Sequence, residues 1–186
     1  MKLLTAVSLG LSALFAAAAP SSQQDHAINN YPTDKPPTIE NKQWVPIASY
    51  IKNNCPFSIW VRQANCENPG ETAYMEVKSN EGYWPPWRAW NNRCSQAVKI
   101  GRSAASIHNV YQVEYSMDYD DSVWYDLSSL DGDPFHDVAR FIEVDPSPKW
   151  CKRMYCGPGH GPQDCDWPHK PETRCAPAAD VKFYLC

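Results

Sequence analysis

Apolar and polar positions alternate in short runs along most of this chain, and the clearest case is VYQVEYSMDYDDSVWYDLSSLDGDPF, from Val110 to Phe135. Tyr111, Val113 and Tyr115 share one face of a period-two pattern, as do Val123, Tyr125 and Leu127. This predicts two strands around an acidic turn, Asp118-Tyr119-Asp120-Asp121. If the hairpin closes with Tyr115 opposite Tyr125, the tyrosines and aliphatics form a core face, and Glu114 and Asp126 lie across from each other on the opposite face. Phe57, Ile59 and Val61 alternate in the same way upstream. Helical periodicity rich in Ala and Leu appears nowhere after residue 19, and seventeen prolines and eight glycines break the chain into short pieces. The pattern predicts an all-β fold.

The first residues follow a different rule. Met1-Lys2 and the apolar run Leu3 to Ala19 read as a secretory signal peptide, too short for a comfortable membrane span and cleaved near Ala17 to Ala19. No second apolar run of spanning length follows, so the expectation is a soluble secreted protein, extracellular or in the cell wall, with no transmembrane segment. Loss of Lys2 with that run takes the formal charge from −4 to −5. A mildly acidic chain without a basic run argues against nucleic acid and anionic membranes as partners. Residues 20–43 are rich in Pro, Ser, Asn and Gln and carry no hydrophobic period, which predicts a flexible arm. Residues 44–186 have the size of one domain. The chain has no internal repeat and no Asn-x-Ser/Thr sequon.

All eight cysteines lie in that domain, at 55, 66, 94, 151, 156, 165, 175 and 186. In an exported chain an even count reads as four disulfides, although the number alone allows 105 connectivities. Cys156, His160, Cys165 and His169 also have a spacing that suits zinc. Against it, these residues sit in a Gly/Pro loop, and an oxidising compartment consumes thiols by pairing, so no metal and no cofactor is expected.

Candidate chemistry centres on the hairpin. Carboxylates facing each other across two strands repel, and one must raise its pKa or find a cation. Cross-strand Cβ atoms lie roughly 4.5–5.5 Å apart, which allows the carboxyl spacing of about 5 Å used by retaining glycosidases. The plainer alternative is a solvated acidic rim on an ordinary hairpin. Leu130-Asp131-Gly132-Asp133-Pro134 adds two carboxylates on a sharp loop. The segment Tyr83 to Trp90 holds Trp84, Trp87 and Trp90 around two prolines. These rings suit either stacking on pyranose faces or packing in the core. His108 and His136 are isolated, and no Ser/His/Asp or Cys/His nucleophile set is readable.

The decad Ile51-Lys52-Asn53-Asn54-Cys55-Pro56-Phe57-Ser58-Ile59-Trp60 closely resembles the opening strand of thaumatin-like proteins, including the osmotin group. Val113-Glu114-Tyr115-Ser116 is similar to that family's strand with the cleft glutamate, and Tyr125 to Gly132 is similar to its stretch around the cleft aspartates. Cys151 and Cys156, and the closing run from Asp180 to Cys186 after Cys175, also fall where the family has them. The length, the proline-rich arm and the DGDPF turn most resemble the short fungal branch, the antigenic thaumatin-like or yeast-phase-specific secreted proteins. The resemblance implies a flattened β-sandwich with small disulfide-stapled loops. It suggests pairing Cys55 with Cys186 and Cys151 with Cys175, which leaves Cys156 with Cys165 and Cys66 with Cys94.

In that family an arginine, a glutamate and three aspartates line an acidic cleft associated with binding, and sometimes cleaving, β-1,3-glucans. Glu114, Asp126 and Asp131 match three of the five. Arg102 stands in for the arginine, since Lys99 needs a one-residue slip. The last aspartate has no counterpart between Cys165 and Cys175, so one wall of the cleft is expected to be missing. Binding survives such a loss better than hydrolysis, which needs one carboxyl protonated and another ionised away from bulk water. The resemblance therefore implies a monomeric, non-catalytic wall or surface protein whose partner is cell-wall polysaccharide or a host surface protein. The alternatives are an endo-glucanase, with Glu114 as acid and Asp126 or Asp131 as nucleophile or base, and a secreted effector or antimicrobial protein.

Overall fold

A computed structural model describes residues 45–106, 108–146, 150–166, 169 and 172–186. The expected signal peptide (1–19), the arm (20–43) and residue 44 lie outside the described residues. The strands are β1 (Ser49–Asn53), β2 (Ile59–Asn65), β3 (Met75–Val77), β4 (Gly82–Tyr83), β5 (Gln96–Gly101), β6 (Tyr111–Met117), β7 (Val123–Ser128), β8 (Arg140–Asp145), β9 (Met154–Cys156), β10 (Thr173–Cys175) and β11 (Asp180–Leu185). Helix among the described residues is confined to one turn, α1 (Pro162–Cys165). The described fold is all-β, in two sheets ordered β4-β1-β11-β8-β9 and β10-β7-β6-β5-β2-β3.

Alternation decides which side chains meet between the sheets. Ile51, Phe183 and Ile142 stand in register across β1, β11 and β8, all fully buried. From the six-stranded sheet, Val61, Val98, Val113, Tyr125 and Leu127 are buried from the other side. Placing one residue in two inward sends the intervening ones out, and the outer face of β2, β5, β6 and β7 is where the polar side chains collect.

The first and last strands are neighbours. β1 runs parallel to β11 from Ser49 opposite Val181 to Asn53 opposite Leu185. Just beyond, the Cys55–Cys186 disulfide joins residues 131 apart in sequence. Cross-linking so long a loop removes unfolded-state entropy equivalent to about 3–5 kcal/mol in the chain-entropy model. The other disulfides are Cys66–Cys94, Cys151–Cys175 and Cys156–Cys165. Because Cys156 and Cys165 are joined to each other, the alternative zinc set lacks both its thiolates.

The β6–β7 hairpin has the register that alternation predicts, with Tyr115 opposite Tyr125 and Glu114 opposite Asp126. Its turn closes through Asp118, whose N–H donates to Ser122 O at 2.8 Å and whose carboxylate accepts from Tyr119 N and Arg93 Nε, both at 2.7 Å. Burial works against the Asp118 charge, but the Arg93 and Tyr119 hydrogen bonds outweigh it and hold the carboxyl below its ordinary range. The acidic turn is thus neutralised locally, whereas the carboxylates further down the hairpin are not.

Candidate functional site

On the outer face of the six-stranded sheet lies a cleft of about 340 Å³, lined by Glu114, Ser116, Trp124, Asp126, Leu130 and Glu172 among others. Three strands build its floor. Glu114 of β6 faces Asp126 of β7, and β10 pairs with β7 so that Thr173 meets Tyr125. One step further along that ladder, Glu172 falls beside Asp126. The three carboxylates therefore form a row across neighbouring strands. Antiparallel pairing forces this row, because alternation leaves these side chains no other face.

Electrostatics makes the row costly. Asp126 is 6% exposed, and no hydrogen bond or ion pair from the described residues reaches its carboxylate or that of Glu114. Burial above all, then the charges of Glu114, Glu172 and Asp166, push the Asp126 carboxyl up to about 7. Glu114 is raised for the same leading reason, with Asp131 and Glu172 adding to it and Lys99 pulling back.

The cations on this face are engaged elsewhere. Lys99 Nζ lies 2.9 Å from Glu71 Oε1 and 3.4 Å from Asp131 Oδ2, and Arg62 Nη1 lies 2.5 Å from the other Glu71 oxygen. Burial opposes the charge on Lys99, but Glu71 and Asp131 outweigh it and raise its pKa. Arg174 stands 5.8 Å over the Trp124 ring and pairs with Asp120.

The residues singled out from the sequence separate here into two groups. Glu114 and Asp126 share the cleft, while Asp131 sits at its margin, half exposed and paired with Lys99. Arg102 is not beside them. One residue past the end of β5, its guanidinium lies 4.4 Å from the Phe57 ring and 5.2 Å from the Phe135 ring, donates to Pro134 O at 2.6 Å and pairs with Asp137. It clamps the DGDPF turn, and the cation near the acidic row is Lys99. Strand parity puts Lys99, rather than Arg102, on the cleft face.

Trp84, Trp87 and Trp90 also fail to line the cleft. β4 pairs with β1 at the edge of the five-stranded sheet, and Ala89 forms an isolated bridge to Ile47, away from the cleft residues. Trp84 stacks on Tyr50 with ring centroids 4.8 Å apart, and Trp84 and Trp90 remain nearly half exposed. Trp87 is fixed by backbone bonds to the Gln63 side chain. The aromatic residue of the cleft is Trp124, which has the same strand parity as Asp126 and was open to inference on that ground. Glu172 was not, and it is the carboxylate that the segment between Cys165 and Cys175 brings to the cleft.

The model of the Blastomyces yeast-phase-specific protein family matches residues 47–186. No curated protein matches the chain. Among solved structures, the protein elicitor MoHrip2 from Magnaporthe oryzae superimposes with a TM-score of 0.64 at 18% identity, covering 75% of this chain and 98% of that one. The thaumatin-like xylanase inhibitor TLXI does so with a TM-score of 0.51 at 16% identity, covering 74% and 98%. At these identities the likeness establishes a thaumatin-like fold.

Proposed function

The chain belongs to the Blastomyces yeast-phase-specific protein family, and on that premise we propose that it is a secreted, non-catalytic protein that binds cell-wall polysaccharide in the acidic cleft. The observation that carries this reading is the row formed by Glu114, Asp126 and Glu172 in an open groove beside Trp124. Carboxylates and a partly exposed indole are what a sugar requires, acceptors for hydroxyls and a flat surface for the apolar ring face. Hydrolysis asks for more, since the acid and the nucleophile must be held in place by neighbouring groups. Neither Glu114 nor Asp126 receives a positioning hydrogen bond from the described residues. The four disulfides suit an extracellular setting. In this reading residues 1–19 direct export and residues 20–43 act as a spacer. The two structural neighbours carry the names of an elicitor and an inhibitor, and neither is named for catalysis.

A second reading has one observation in its favour. A carboxyl pushed up to about 7 opposite another carboxyl supplies the acid half of a glycosidase pair. In that case Asp126, which receives the larger push, is the acid, and Glu114 takes the nucleophile position. Co-sedimentation with insoluble β-1,3-glucan, run alongside reducing-sugar release for the wild type and Glu114→Gln, separates the two readings. Binding without release supports the proposal, and release abolished by the substitution establishes the enzyme. Absence of binding to any wall glycan overturns both and leaves a protein partner on a host surface.

A further inference from the structure

The charge arrangement of the cleft narrows the kind of sugar it suits. Glu114 and Asp126 occupy adjacent strands with Glu172 just ahead of the next, and each nearby described cation is already held by another carboxylate: Lys99 by Glu71 and Asp131, Arg62 by Glu71, and Arg174 by Asp120. Asp126 is more than nine-tenths buried, opens into the cleft and has no donor of its own. A neutral hydroxyl relieves one lone pair of such a group, but it leaves the repulsion along the row unchanged. A positive charge removes both costs together.

A shared metal ion is not the cation this spacing suits. Among the described residues, the one trio of ligand atoms within 4.8 Å of one another is that of Cys156, Cys165 and Asp166, and its cysteines form a disulfide. Glu114, Asp126 and Glu172 are spread more widely, as expected for neighbours across a sheet, where strands lie about 4.8 Å apart. That spread fits a ligand with several cationic groups repeated along its length. The cleft also presents the Trp124 indole, the two-thirds-exposed Leu130 side chain and the hydroxyls of Ser95 and Ser116. An apolar ring face, hydroxyl partners and an acceptor for an ammonium group are together what a pyranose with an amino substituent requires, whereas a lysine-rich peptide uses only the last.

Resting on the reading that the cleft takes wall polysaccharide, we infer that its preferred ligand is a cationic polymer of 2-amino-2-deoxy sugar, with its ammonium groups against Asp126, Glu114 and Glu172 and a ring face on Trp124. Neutral glucan is the weaker ligand.

Calorimetric titration of the full-length secreted protein, in low-salt buffer near neutral pH, tests this with four probes. They are a glucosamine hexamer, its fully N-acetylated counterpart, a β-1,3-glucose hexamer and a lysine peptide of equal charge. The expected result is binding of the glucosamine hexamer about tenfold or more tighter than either neutral hexamer, as for loss of a charge-assisted bond. That affinity weakens as salt is raised, and it falls about tenfold in Asp126→Asn. Glu172→Gln, an exposed position whose change leaves folding intact, loses affinity as well and serves if Asp126→Asn does not fold. Equal affinity for the β-1,3-glucose hexamer overturns the cationic preference and leaves the polysaccharide reading standing. Equal affinity for the lysine peptide overturns the sugar class, and absence of binding to all of the sugars overturns this inference and the polysaccharide reading together.

Discussion

Burying the Asp126 carboxyl without a hydrogen-bond donor makes its ionisation compete with folding. Its folded-state pKa lies at about 7, above the ordinary 3.8. The stability linked to the group is therefore complete below about pH 4 and is lost as pH rises through 7. Up to about 4 kcal/mol is at stake over that window. Asp126→Asn removes the dependence, so thermal unfolding should find the variant more stable than wild type at pH 8, with the gap closing towards pH 5. Arg140 behaves in the opposite way. Fully buried, it donates to Asp133 Oδ1 at 2.5 Å and to His160 O at 2.6 Å and lies 5.1 Å from the Tyr111 ring. Arg140→Met strands the Asp133 carboxylate in the interior and should cost about 3–5 kcal/mol in chemical denaturation. At this scale the sequence made Glu114 and Asp126 legible, because their parity opposes that of Tyr115 and Tyr125. It could not show that Lys99 rather than Arg102 neighbours the acidic row. That depends on β5 ending at Gly101, after which the chain turns and Arg102 meets Phe57 and Phe135.

Among the elements, the loop from Ser129 to Asp133 sets where the cleft ends. Gly132 has φ of 129°, and a Cβ there would lie 2.4 Å from Asn109 Oδ1 and 2.9 Å from Asn109 Cα. Next to it, Asp131 accepts from Val110 N at 3.1 Å and faces Lys99. Gly132→Ala should therefore cost about 1–3 kcal/mol, read from the urea midpoint. The Asp-Gly pair announced this turn in the sequence, just as alternation announced the β6–β7 hairpin. β10 was not announced. Three residues, Thr173 to Cys175, give no periodicity to read, and their pairing with β7 is a long-range event that brings Glu172 into the cleft only when the sheet is complete. The place of the tryptophan loop was hidden for a related reason. Its composition suits sugar stacking, but its position follows from pairings of β4 and Ala89 with distant segments of the chain.

At the largest scale, the described fold is a two-sheet sandwich whose ends are tied together by β1, β11 and Cys55–Cys186. Replacing both cysteines with serine should lower stability by about 3–5 kcal/mol, seen as a lower denaturation midpoint under non-reducing conditions. The sandwich also separates two surfaces that composition alone would have merged: the carboxylate row with Trp124 on the six-stranded sheet, and Trp84 and Trp90 beside the five-stranded one. All-β architecture was legible from alternation and from the proline and glycine content, but this separation depends on which strands pair. It also makes the central claim open to direct mapping. The measurement is NMR chemical-shift perturbation of the backbone and indole resonances on titration with β-1,3-glucose and glucosamine hexamers. Shifts concentrated at Glu114, Ser116, Trp124 and Asp126 are the predicted result. Shifts confined to Tyr50, Trp84 and Trp90, with the β6–β7 hairpin unmoved, would contradict it.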